Sequence, residues 1–84
     1  MKLDPKKYGL PARTHLEKLD EHTIGLIVRR KSRIIMADGR KLVEKAMCIQ
    51  ETATSTKVAL VTTAPICGKT RTFLEASGIT ILEE

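Results

Sequence analysis

Aromatic side chains are nearly absent from this chain: there is one Phe, one Tyr and no Trp in 84 residues. A core built from it must be aliphatic. The flat platforms on which proteins stack unpaired bases are missing too, which counts against base-by-base reading of a single strand. Long apolar runs are also lacking. None approaches the ~20 residues that a bilayer-crossing helix requires, and Met1 to Pro5 has no apolar stretch of the kind a secretory signal carries, so no membrane association is expected and the default location is cytoplasmic. Cys48 and Cys67 are too few for the disulfide framework of a small secreted domain, and both are read as reduced thiols. His15 and His22 lie near Asp20 and Glu21, but their spacing matches no metal-ligand pattern, so neither a metal nor another cofactor is expected. No Ser-His-Asp or paired-carboxylate arrangement can be assembled, and the balance leans away from an enzyme.

What is present is positive charge, unevenly spread. The formal net charge is +5, yet residues 1–42 hold eleven Lys/Arg against five Asp/Glu while residues 43–84 hold four against five. Within the first half, Arg29-Arg30-Lys31-Ser32-Arg33 places four cations in five residues. Such a run is either a solvated face or the footprint of an anionic partner.

The length supports one domain. Residues 1–12, with Pro5, Gly9 and Pro11, read as an N-terminal arm, and residues 13–84 as a single small α/β domain. Arg13 to Leu19 alternates weakly, as an exposed edge strand would, and Asp20-Glu21-His22 is a turn into the β-rich run Thr23 to Val28. Ile35, Gly39, Leu42, Ala46 and Ile49 recur at helical spacing and predict a helix over Arg33 to Glu51, with Ser32 as its N-cap. Gly39 weakens the first turn, leaving open a strand-like extension through Met36 and a helix that starts after Asp38. Lys57 to Thr62 is apolar on both faces, as a central strand is. A second helix from about Pro65 or Cys67 to Ser77 is stopped by Gly78, with Ile79 folding back on Leu74, and Ile79 to Leu82 is a last strand.

The expected order is β-β-α-β-α-β: a two-layer sandwich with a four-stranded mixed sheet, an antiparallel hairpin at its start and two helices. If both right-handed crossovers step the same way, the helices share one face of the sheet. The other face, with Gly25, Ile27, Ala59, Val61 and Leu82, is then too apolar to stay bare. Either the Tyr8-Leu10-Pro11 arm or a second subunit must cover it, and a homodimer through that face is the expectation.

Parallel strands also bring the loops after Val28 and after Thr62 to the same carboxyl end of the sheet, where open α/β folds bind ligands. The candidate site is therefore composite: Arg29, Arg30, Lys31, Ser32 and Arg33 from one loop, and Thr62, Thr63, Gly68, Lys69 and Thr70 from the other. Helix N-termini would add backbone N–H groups, and the suited ligand is a phosphate, a carboxylate or a nucleic-acid backbone. The stretch Thr63-Ala64-Pro65-Ile66-Cys67-Gly68-Lys69-Thr70 resembles a degenerate nucleoside-triphosphate P-loop. It departs from that family in having Thr63 where the first Gly stands and Pro65 inside the loop, which with the short chain argues against nucleotide hydrolysis and leaves anion binding open.

Val58 to Leu82 also resembles the opening half of glutaredoxin-like proteins, in which a strand leads into a Cys at a helix start. Thr70 stands where the second Cys of Cys-x-x-Cys would be, and the family's later strands have no counterpart, so that fold is not expected. A thiol beside Lys69 and Arg71 at a helix start is nonetheless a candidate reactive group, which singles out Cys67. Three functions follow: a non-catalytic module binding phosphate or nucleic-acid backbone, a protein-assembly module acting through the apolar sheet face, and a small thiol- or phosphate-handling enzyme centred on Cys67.

Overall fold

The computed structural model describes residues 2–84. Its sheet has five strands, one more than expected, because Lys2–Leu3 (β1) of the arm pairs antiparallel with Leu16–Asp20 (β2), setting Lys2 opposite Glu17 and Leu3 opposite Leu16. Two residues carry no periodicity, so this strand left no sequence pattern to find. The remaining strands are Thr23–Val28 (β3), Lys57–Thr62 (β4) and Thr80–Glu83 (β5), with helices Met36–Thr52 (α1) and Gly68–Ala76 (α2) as crossovers. Order in the sheet follows order in the chain: β2 pairs antiparallel with β3, and β3, β4 and β5 run parallel.

Arg13 to Leu19 is corrected in two ways. Its strand is shorter and shifted, and it is not the edge of the sheet, since β1 flanks its first residues. The turn that follows has the expected chemistry: the Asp20 carboxylate accepts the His22 N–H at 2.8 Å, a side-chain mimic of a backbone turn. That bond, foremost, lowers the pKa of Asp20.

Both crossovers step in one direction, so both helices lie over one face. Leu16, Ile24, Leu26, Val58 and Leu60 from the sheet meet Leu42, Ala46 and Ile49 of α1 and Leu74 of α2 in one aliphatic core. The arm joins this same side. Leu10 is buried in the core and Tyr8 packs against it, so the arm does not cover the opposite sheet face. Strand alternation puts Gly25, Ile27, Ala59 and Val61 on that opposite face. Leu19 lies there as well, its Cδ1 3.0 Å from where a Cβ on Gly25 would stand. Leu19 and Leu82 are 38% and 44% exposed.

The first helix begins three residues later than the periodicity predicted. Ile34 is drawn into a parallel bridge with Ile66, and Ile35 is the extended residue before the helix, 51% exposed rather than part of the buried face. Ser32 caps nothing. Its place is taken by Asp38, whose carboxylate reaches back to accept the Ile35 N–H at 3.0 Å. Gly39 is inside the helix because α2 crosses there: a Cβ at Gly39 would stand 2.8 Å from Thr70 Cγ2. The second helix ends as expected, in a Schellman motif with Gly78 at φ 83° and the Ile79 N–H donating to Leu74 O at 3.0 Å.

Candidate anion-binding site

The loops after β3 and β4 are joined as well as adjacent. The Ile34 N–H donates to Pro65 O at 2.8 Å, the Cys67 N–H donates to Ile34 O at 3.0 Å, and the Thr62 hydroxyl donates to Val28 O at 2.7 Å. These bonds extend the β3–β4 pairing past the strand ends and set both loops side by side.

Within the joined loops the cations have unequal freedom. Arg29 makes a two-pronged pair with Glu84, both bonds 3.0 Å long, which raises the Arg29 pKa and lowers that of Glu84. Arg30 folds over its own loop, donating to Ser32 O and Arg33 O at 3.2 Å each and to the Asp38 carboxylate at 2.6 Å. The bond from Arg30 is the main reason the Asp38 carboxyl sits below its usual pKa, with the Ile35 N–H next. Arg71 pairs with Glu83. Among the described residues, Lys31, Arg33 and Lys69 form no ion pair, and all three are exposed.

The threonines divide differently. Thr62 and Thr70 are wholly buried, at 0% exposure. The Thr62 hydroxyl is engaged at both ends, since it also accepts the Ala64 N–H at 2.9 Å, and it serves the loop rather than a ligand. The Thr70 hydroxyl has no hydrogen-bond partner of ordinary geometry. Ser32, Thr63 and Gly68 lie on the surface.

The helix starts are not open anion cradles either. Asp38 already supplies a carboxylate at α1. At α2 the residue before the helix is Cys67, whose side chain makes no cap hydrogen bond, although the nearby peptide N–H groups of Lys69 and Thr70, foremost, hold its thiol pKa below the ordinary value. Anion binding here would therefore rest on side-chain cations.

More of those cations exist than the basic run alone suggests. A groove of about 310 Å³ is lined by Arg13, Arg30, Lys41 and Lys45, with Asp38 as its single carboxylate and Val28, Ile34 and Leu42 as its floor. It shares Arg30 and Ile34 with the joined loops and so continues their surface along α1. Sequence reading missed Arg13, Lys41 and Lys45. The available signal was Lys41 and Lys45 at a spacing of four on a helix whose buried stripe passes through the adjacent Leu42 and Ala46.

No group of three or more His, Cys, Asp or Glu that could hold a metal occurs among the described residues. No helix of the described chain is long and apolar enough to cross a membrane. Comparison with protein-family models, with curated proteins and with solved structures finds no match to this chain.

Proposed function

We propose that this chain is a non-catalytic module that binds the phosphate backbone of nucleic acid, through Lys31, Arg33 and Lys69 on the joined loops and Arg13, Arg30, Lys41 and Lys45 along the groove. The observation that carries this reading is the continuity of the two surfaces through Arg30 and Ile34. Cations spread along a shallow surface suit a linear polyanion better than a single phosphate, which would call for donors converging on one point. The scarcity of aromatic residues favours backbone contacts over base stacking. Ser32, Thr63 and the exposed Gly68 peptide supply neutral donors at the edge of the same surface.

Such binding is steeply salt-dependent, with a log–log slope of about −0.9 per phosphate neutralised on a duplex. Fluorescence anisotropy with a short DNA duplex, repeated across a salt series, tests it. Replacing Lys31, Arg33 and Lys69 by Gln should weaken binding and flatten the slope by about one unit per lost contact. Absence of binding to duplex and single strand alike at low salt would end this reading.

A second reading has its own observation. The sheet face with Ile27, Ala59 and Val61 lies outside the main core, and although those three are buried within the chain, Leu19 and Leu82 on the same face are 38% and 44% exposed. We infer that this face associates with a second copy, as an assembly module would. Light scattering at high protein concentration should give a dimer mass that Leu82→Lys returns to monomer. A monomer throughout would remove this reading.

A further inference from the structure

We propose that Arg29 and Arg71 are further members of the nucleic-acid interface, masked by the side chains of Glu84 and Glu83, which stand in for phosphate until a polyanion displaces them. This rests on the nucleic-acid reading and says how that surface is held in check. The three ion pairs among the described residues are Arg29 with Glu84, Arg30 with Asp38 and Arg71 with Glu83, and all lie at the carboxyl end of the parallel strands. Glu44 and Glu75, farther along the helices, pair with no cation.

Strand register delivers the two glutamates to this end. Val28, Thr62 and Glu83 stand in line across β3, β4 and β5, and the Glu84 N–H donates to Thr62 O at 2.9 Å, so the backbone holds both residues level with the start of the loops. Arg29 leaves β3 one residue past that row. Its side chain passes the end of β4 to reach Glu84, and Nε and one terminal nitrogen each lie 3.0 Å from a carboxylate oxygen. A guanidinium grips phosphate with the same fork. Arg71 comes from the first turns of α2, where its N–H donates to Cys67 O at 2.9 Å, and its guanidinium meets Glu83. Each masked arginine lies two residues from a lysine without an ion pair, Arg29 from Lys31 and Arg71 from Lys69.

Both pairs are loosely held. The side chains of Arg29 and Glu84 are 51% and 35% exposed, those of Arg71 and Glu83 38% and 53%, and pairs so open to water and salt are weak. A duplex repeats its phosphates along its length and carries condensed counterions that are released when arginines replace them. A small anion brings no such release. The two glutamates therefore keep Arg29 and Arg71 from small anions and yield them to a long one.

The test is a mutant cycle read by fluorescence anisotropy on a short DNA duplex. Glu84→Gln should tighten binding about three- to tenfold at low salt and steepen the log–log salt slope by about one unit, with Glu83→Gln acting in the same direction. Glu75→Gln removes the same charge at the last turn of α2, away from every ion pair, and should change affinity by less than about twofold because salt screens it. In an Arg29→Gln background, Glu84→Gln should lose its effect. Equal gains from Glu84→Gln and Glu75→Gln, or a Glu84→Gln gain that survives Arg29→Gln, would show general charge rather than masking and overturn the proposal. Wild-type binding with no gain in either masked-site variant would overturn it and leave the nucleic-acid reading standing; no binding by any variant at low salt would end both.

Discussion

The starts of α1 and α2 face the same problem and meet it differently. Each helix opens at the carboxyl end of a parallel strand, and each has peptide N–H groups to satisfy. At α1 the solution is a permanent anion, the Asp38 carboxylate, held from outside by Arg30 and from inside by the Ile35 N–H. At α2 the same position holds Cys67, partly exposed and making no side-chain cap hydrogen bond. One start is closed by an ion pair that any pH near neutrality leaves intact. The other has no side-chain cap. Position in the fold therefore does not decide how a helix start is closed; the side chains near it do.

The largest test acts where the two helices touch. Gly39→Val should destabilise the fold by about 2–3 kcal/mol in urea unfolding, because the added atoms meet the fully buried Thr70 side chain rather than a flexible tip. Gly39→Ala should still lose about 1 kcal/mol, the overpacking outweighing the gain in helix propensity. Stabilisation in Gly39→Ala would show that the contact yields easily, and the comparison between helix starts would lose its steric link.

Asp38→Ala comes next. It removes the capping carboxylate and should cost about 1 kcal/mol. The folded-state pKa of Asp38 lies below its unfolded value, so its contribution is fully present above the ordinary Asp range and is lost as the pH falls through the folded value. The stability difference between wild type and Asp38→Ala should therefore vanish in strong acid and be constant near neutrality. The same substitution releases Arg30 into the groove, and duplex affinity should rise even as stability falls.

Thr70→Val should have a smaller effect on stability and of the opposite sign, from neutral to about 1 kcal/mol stabilising, since it trades an unpartnered buried hydroxyl for a methyl group. Ser32→Ala should change stability least, by less than about 0.5 kcal/mol, because that hydroxyl caps nothing. A loss of a full cap's worth in Ser32→Ala would restore the earlier helix start.

Much of this fold was readable from residue patterns, and the failures have identifiable causes. The β3 and β4 runs have the expected ends because strand-forming residues there meet abrupt turn or polar boundaries. The stop at Gly78 was legible because few signals compete with a glycine placed to go left-handed after Leu74. The start of α1 was not, since Ile35 matches the helical period as well as Gly39 does, and only the partner Ile66, remote in sequence, draws Ile34 into extended backbone. Ser32 looked like a cap because capping chemistry is local, whereas Asp38 displaced it from within the helix. The basic run was visible as charge, but the engagement of Arg29 with Glu84 and of Arg30 with Asp38 depends on contacts that spacing does not reveal.

The backbone bonds between Ile34, Pro65 and Cys67 have one more consequence. Loops on open sheets commonly fluctuate separately, each with its own local opening free energy. Here the Ile34 and Cys67 amides are each protected by the neighbouring loop, so neither is exposed to exchange unless the two segments part. In native-state hydrogen exchange they should behave as a single cooperative unit with one shared rate. A molecule bound to the basic segment would then slow exchange at Cys67, on a loop it need not touch.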